Sequence, residues 1–236
     1  MLENVPFQSC FLRASVNIIN HPHWDFLECE DFQNQCVEKV QADPSAIFLI
    51  FTNHHPCFTL GRGKLSHELK EVIELKAGDK DNKSVLAYPV HHIHRGGGLT
   101  FHHLDQFIVY PIININYWKL QLKDLFELIT QTMVKVLNRP PHKNYFEFHW
   151  NPLGIWCDSK KVASMGIGLR KGVSFHGLAL NLKYHPMLET LGGLAPCGLN
   201  VKTYSSLNDY DLADLKFSDL VDLFSWQFLH HYCGKT

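Results

Sequence analysis

The sequence predicts an α+β fold, mixed β-sheet packed with helices, in a single domain over residues 1–236. Three observations carry this. Segments with apolar residues at three- and four-residue steps alternate with strand-sized apolar runs. From residue 152 onward those runs follow one another at hairpin spacing. No internal repeat, low-complexity tract or Pro/Gly/Ser-rich linker divides the chain.

In chain order, "HWDFLECEDFQNQCVEKVQ" (23 to 41) spaces Phe26, Leu27, Phe32, Cys36, Val37 and Val40 for an amphipathic helix. "SAIFLIFT" follows as a buried strand, and "NHHPCFTLGRG", punctuated by Pro56, Gly61 and Gly63, reads as a loop. "KAGDKDNKS" (76 to 84) is polar and mobile in expectation. "VLAYPV" and "FIVYPIINI" read as strands flanking a glycine run. "LKDLFELITQTMVKVLN" (122 to 138) is a helix that "RPPHKN" stops, because paired prolines cannot continue it. "LGIWC", "VASMGIGL" and "VSFHGLALNL" are consecutive strands joined by the turns "DSKK" and "RKG". The tail "FSDLVDLFSWQFLHHYC" is a helix with Ser218 as candidate N-cap.

Composition excludes several classes. Twenty-two basic residues nearly cancel 23 acidic ones and no like-charge run appears, so neither nucleic acid nor a membrane surface is an expected partner. The longest apolar runs fall short of the roughly 20 residues a membrane span needs, and the first residues lack the layout of a secretion signal. A cytoplasmic protein is expected. Seven cysteines, scattered and without a C-x-x-C pair, read as reduced thiols, most of them buried.

Four features bear on chemistry. Arg95-Gly96-Gly97-Gly98 indicates backbone that bends sharply or lies close to something, either a ligand or a neighbouring strand. It has neither dinucleotide nor phosphate-loop spacing. His91, His92, His94, His102 and His103 cluster without an acidic or cysteine ligand at a familiar metal spacing, so no metal site is assigned. Pro196 and Gly198 bracket Cys197 on a bend, where a thiol is either inert or presented to a substrate. Lys161 opens a strand of small residues, Ala163, Ser164, Gly166 and Gly168, which leave a groove or permit a close strand crossing; a lysine at such a turn is solvated by default.

Together these segments resemble the lipoyl(octanoyl) transferases of the lipoate and biotin protein ligase-like fold. "NHHPCFTLGRG" is similar to E-H-x-P-x-[FY]-T-x-G, "RGGGLTFH" to R-G-G-x-x-T-[YF]-H, "KKVASMGIGLRKGVSFHGLALNL" to K-[IV]-x-x-[LM]-G-[IL]-x-x-x-x-G-x-[ST]-x-H-G-[LF]-A-[LF]-N, and "PCGL" to P-C-G-[ILY], in the family's order. The resemblance implies Cys197 as nucleophile with Lys161 as its partner. It further implies substrate contacts at Arg95, Gly96, Gly97, Gly98, Leu99, Thr100, Phe101 and His102, at Ser164, Met165 and Gly166, and at Gly177, Leu178 and Ala179.

The implied reaction passes an octanoyl or lipoyl group from the thioester of acyl carrier protein through a cysteine acyl-enzyme to a lysine of a lipoyl domain. Acceptors of this kind are the lipoyl domains of 2-oxoacid dehydrogenase complexes and the glycine cleavage H protein. Neither ATP nor a metal is required, and a monomer is expected. An ammonium near the thiol favours the thiolate and relays a proton. Carrier contact is assigned to Arg62, Lys64, Arg170 and Lys171.

Two departures stand out. The family's G-P-G-Q after the histidine is here His103-Leu104-Asp105-Gln106, and Asn53 stands in place of glutamate. Two other readings fit parts of the pattern. "GGGLTFHHLD" also resembles the G-G-G-x-V-x-H-D-L of ATP-dependent lipoate ligases, against which the P-C-G bend and the ordered lysine weigh. A non-catalytic protein that binds lipoate or acyl carrier protein is the third.

Overall fold

The computed structural model describes residues 14–63, 88–185 and 201–230. Strand β1 (Val16–Trp24) leads into helix α1 (Phe26–Ala42), then β2 (Ile47–His54) and the short β3 (Cys57–Leu60). Strands β4 (Val90–His92), β5 (Leu99–His102) and β6 (Gln106–Ile112) precede helix α2 (Leu122–Leu137). Strands β7 (Glu147–Trp150), β8 (Leu153–Cys157), β9 (Lys160–Arg170) and β10 (Val173–Asn181) follow, then two 3-10 turns and helix α3 (Phe217–His230). A seven-stranded sheet runs β1-β2-β6-β10-β9-β8-β7, and a three-stranded sheet runs β4-β3-β5. Among the described residues only β1 and β2 pair in parallel within the large sheet; α1 is their crossover.

The large sheet is covered on both faces, and its central strands show this in their alternation. Ile47, Leu49 and Phe51 of β2, with Phe107 and Val109 of β6, face α2 and α3, meeting Leu125, Ile129, Met133, Phe224 and Phe228. Phe48, Ile50, Ile108, Tyr110 and Ile112 point the other way, toward Cys29, Cys36, Val37 and Val40 of α1. Each such buried aliphatic or aromatic side chain contributes roughly 1.5–3 kcal/mol. Asp25 caps α1, accepting from the amides of Leu27 at 2.8 Å and Glu28 at 3.2 Å.

The expected helices and the strands after 152 are present. Three expectations are corrected. Part of the expected loop at 53 to 63 is β3, whose four buried residues pair with β5. The expected N-cap Ser218 lies inside α3, which begins at Phe217; Asp219 instead reaches back to the Lys216 amide at 3.1 Å. "FIVYPIINI" is strand only as far as Ile112. The stretch 76 to 84 and the first residues of "VLAYPV" lie outside the described residues.

Candidate active site

The groove anticipated from small residues forms on the α1 face of the large sheet. Ala163, Met165 and Ile167 of β9 enter the α2/α3 core, so Ser164, Gly166 and Gly168 alternate onto the opposite face. There the loop from Arg95 to Gly98 packs across them, with the Gly96 amide donating to the Ile167 carbonyl at 3.0 Å. A Cβ at Gly166 would stand 2.8 Å from the Gly96 oxygen and 2.9 Å from Arg95 Cδ. On its other side the loop meets the end of β3, where a Cβ at Gly61 would stand 2.4 Å from the Gly97 oxygen. Gly97 also has φ +81, a conformation that side chains disfavour. The glycine run is thus explained by backbone wedged between two sheets.

Beside this wedge lies a small cleft. Nine residues named in the sequence line it: Arg95, Thr100, His102, Ser164, Met165, Gly166, Gly177, Leu178 and Ala179. Phe26, Ile93, Tyr110 and His176 complete the lining; of these His176 sits in the quoted H-G string. Gly96, Gly97 and Gly98 serve the wedge, Leu99 is fully buried, and Phe101 lines an adjoining depression with Thr100, His103, Gln106, Ser164, Asn181 and Tyr204. Thr100 and Ser164 belong to both spaces.

One continuous hydrogen-bond chain supports the cleft wall. Arg95 Nη2 donates to Thr59 Oγ1 and to Thr100 Oγ1, each at 2.8 Å. Thr59 Oγ1 lies 3.3 Å from His102 Nε2, and His102 Nδ1 lies 3.1 Å from Gln106 Oε1. Gln106 Nε2 donates to the Phe101 carbonyl and to Asn181 Oδ1, and Asn181 Nδ2 donates to the Ser205 carbonyl at 3.1 Å. The fixed carbonyls at Phe101 and Ser205 set both amide orientations. Gln106 therefore presents an acceptor to His102, whose proton sits on Nδ1, and Nε2 accepts the Thr59 hydroxyl hydrogen.

Burial keeps the surrounding imidazoles neutral. It pushes His102 well below the ordinary histidine value, helped by His54 and Arg95. Burial likewise lowers His54 to about 4 and His176 to about 3. His54 is held between the Trp24 carbonyl and the Tyr110 hydroxyl, at 2.9 and 3.0 Å. His176, at φ +57, has its amide on Gln33 Oε1 at 2.8 Å, while its Nε2 lies 3.8 Å from a Glu30 oxygen, too far for a hydrogen bond. Phe26 stacks against His91, His102 and His176 with centroid separations of 5.2, 6.1 and 6.4 Å. No group of described residues is arranged to hold a metal ion.

Lys161 requires a correction. The solvated turn lysine of the sequence reading is a strand residue only 2% exposed. The register shifts between Ile155 and Trp156 where β8 pairs with β9, and the irregularity turns Lys161 inward. Its stem runs over Gly154, where a Cβ would stand 2.5 Å from Lys161 Cε. Its Nζ lies 6.0 Å from the centre of the Tyr204 ring, and its carbonyl accepts the Ser205 amide at 3.0 Å. The other member of the expected pair, Cys197, lies outside the described residues, as does Lys64. Arg62 and Arg170 are both exposed, Arg62 donating to His94 Nδ1 and the Arg170 guanidinium standing 5.5 Å from the Phe175 ring centre.

The two departures in the sequence meet in space. Asn53 Oδ1 accepts from the His23 amide at 2.6 Å, and its Nδ2 donates to the Leu104 carbonyl at 2.7 Å, an interaction an ionised glutamate could not make. The Asp105 carbonyl in turn accepts from Leu182 and Lys183.

The family profile of the lipoyl protein ligase A/B catalytic domain matches residues 25–229. An octanoyltransferase of Bdellovibrio bacteriovorus is 33% identical over 192 residues, covering 74% of this chain and 80% of the relative. One from Alkaliphilus metalliredigens is 27% identical over 194 residues, covering 82% and 84%. Among solved structures, a lipoate-protein ligase A bound with ATP superposes with a TM-score of 0.62 at 13% identity, covering 92% of this chain and 85% of that one. A lipoate protein ligase of T. acidophilum gives 0.61 at 13% identity, with 91% and 83% covered. At such identities the structural likeness concerns the fold.

Proposed function

The chain belongs to the lipoyl protein ligase A/B catalytic-domain family, and from that premise we propose that it is an octanoyltransferase of protein lipoylation. The observation that carries this reading is the cleft itself: nine positions implied as substrate contacts line one space. Tyr204, seven residues after Cys197 in sequence, is paired with Lys161 and lines the adjoining depression. The Arg95 end supplies a rigid wall, Phe26, Ile93 and Leu178 an apolar one, and the neutral imidazoles add no charge that would repel an alkyl chain.

In this reading Cys197 Sγ attacks the carbonyl carbon of an octanoyl thioester on acyl carrier protein. A new carbon–sulfur bond forms, the bond to the carrier's arm breaks, and the departing sulfur takes the proton that Cys197 gave up. The ε-amine of a lipoyl-domain lysine then attacks the acyl-enzyme. The amide bond forms, the Cys197 thioester breaks, and Lys161 relays the amine proton to the leaving sulfur. Thioester exchange and amide formation need neither ATP nor a metal. Lipoyl domains of 2-oxoacid dehydrogenase complexes and the glycine cleavage H protein are the acceptors. The fully buried His102 remains neutral and supports Arg95 and the cleft wall.

The test is transfer from octanoyl-acyl carrier protein to a purified lipoyl domain, followed by mass spectrometry with and without ATP. The expected result is octanoylation at equal rates in both. Transfer from free octanoate that depends on ATP would identify a ligase, and no product under either condition would contradict the assignment.

A further inference from the structure

The cleft that suits an alkyl chain is joined to a second space of different chemistry. Seven residues line it: Thr100, Phe101, His103, Gln106, Ser164, Asn181 and Tyr204. Thr100 and Ser164 form the rim common to both. None of the seven carries a formal charge at neutral pH, because His103 is lowered to about 4 by burial and by neighbouring His185. Its walls are hydroxyls, carboxamides and the three aromatic rings of Phe101, His103 and Tyr204. They offer no carboxylate to an ammonium and no cation to a phosphate.

His103 is also out of balance. It is 1% exposed, and its Nδ1 has no hydrogen-bond partner among the described residues. A buried ring nitrogen left unpaired is destabilising, on the order of 1–3 kcal/mol, unless a ligand satisfies it. The ring is fixed by packing against Phe101 at 5.6 Å and His185 at 5.0 Å between centroids. His103 occupies a position where the resembled motif has glycine, so the feature belongs to this chain and is not a copy of the motif.

We propose that this second space is a subsite for an uncharged, amide-bearing arm carrying the acyl thioester, with the thioester at the Thr100/Ser164 rim and His103 meeting a polar group of the arm. The inference rests on the octanoyltransferase reading and adds where the donor's arm lies. An acceptor lysine is the poorer occupant of this space, because its amine arrives largely as an ammonium and the walls hold no counter-charge.

The test compares two soluble donors, octanoyl-pantetheine, whose arm has two amides, and the octanoyl thioester of ethanethiol, which has none, with octanoyl-acyl carrier protein as reference. Wild-type protein is expected to favour the pantetheine donor at least tenfold in kcat/KM. His103→Phe keeps an aromatic ring against Phe101 and His185 and removes the nitrogen; it is expected to reduce the ratio of the two donors to below about threefold. Equal use of both donors by wild-type protein, or a variant that loses both in proportion, overturns the subsite while leaving the transferase reading intact. Failure to use any donor, the carrier protein included, overturns the functional reading and the subsite with it. A preference that survives His103→Phe but is abolished by added free lipoyl domain assigns the space to the acceptor and also overturns the proposal.

Discussion

Arg95 and His102 hold the hydroxyl of Thr59 between them, the guanidinium donating to Oγ1 at 2.8 Å and the imidazole Nε2 lying 3.3 Å from the same oxygen. The arrangement works only while His102 is neutral with its proton on Nδ1, and Gln106 Oε1 enforces that. Gln106→Glu would offer a carboxylate to Nδ1, favouring the imidazolium and raising the His102 pKa. A doubly protonated ring no longer accepts from Thr59. The expected outcome is about a tenfold fall in kcat/KM, roughly 1.4 kcal/mol, with a new acid limb in the pH profile. Nitrogen chemical shifts of His102 check the tautomer directly: an Nε2–H form in wild-type protein would contradict the chain as drawn.

Acid should destabilise this protein through its buried histidines. His54, His103 and His176 lie at about 4, 4 and 3, below the ordinary value of 6.5, so the unfolded chain binds more protons whenever the pH falls under that value. Their penalty is absent above about 6.5, grows as the pH drops, and levels off below the folded-state values. Each histidine removes on the order of 1–3 kcal/mol by pH 4. Thermal unfolding from pH 8 to pH 4 is expected to give a steady Tm above 6.5 and a falling one below it. A Tm that stays flat to pH 4.5 would contradict the burial of these rings.

Gly166→Ala places a methyl carbon 2.8 Å from the Gly96 oxygen and forces the Arg95 loop away from β9. Overpacking of this kind costs about 1–3 kcal/mol. Acyl transfer is expected to fall further than that figure implies for stability, because Arg95 moves with the loop. Denaturant unfolding together with kcat/KM checks both; a variant with wild-type values in each would show that the loop does not rest on β9.

How much of this was legible in sequence depends on where each signal resided. The helices α1 and α2 were visible because their buried residues recur at helical spacing. Strand β2 showed as an apolar run because both its faces are covered. Strand β1 was not visible: it is an edge strand whose half-buried Asn17 and exposed Asn20, His21 and His23 break the apolar pattern. Strand β3 is only four residues between Pro56 and Gly61 and looked like loop. The cleft-lining glycines, Ser164, Arg95 and His176 sat in recognisable strings, whereas Phe26 and Tyr110 reach the cleft from separate elements that only sheet pairing and helix docking bring together. The burial of Lys161 was not legible, because a register shift between strands leaves no mark in composition.

The burial of Lys161 changes the choice of variant. Alanine would leave a void above Gly154 and beside Tyr204, confounding chemistry with packing. Lys161→Met retains most of the stem and removes the amine. A loss of at least about a hundredfold in acyl transfer is expected, with a Tm close to wild type. On the proposed pairing, alkylation of the Cys197 thiol is expected to shift to higher pH in this variant. An unchanged alkylation profile would separate Lys161 from the thiol.

The central claim is that the acyl group passes through the Cys197 sulfur. Intact-mass measurement after mixing the protein with octanoyl-acyl carrier protein alone, without ATP or acceptor, addresses it most directly. The account predicts a single octanoyl adduct that maps to Cys197, is released by hydroxylamine or by a lipoyl domain, and is absent from Cys197→Ser. An unmodified protein, or an adduct that persists in Cys197→Ser, would contradict it.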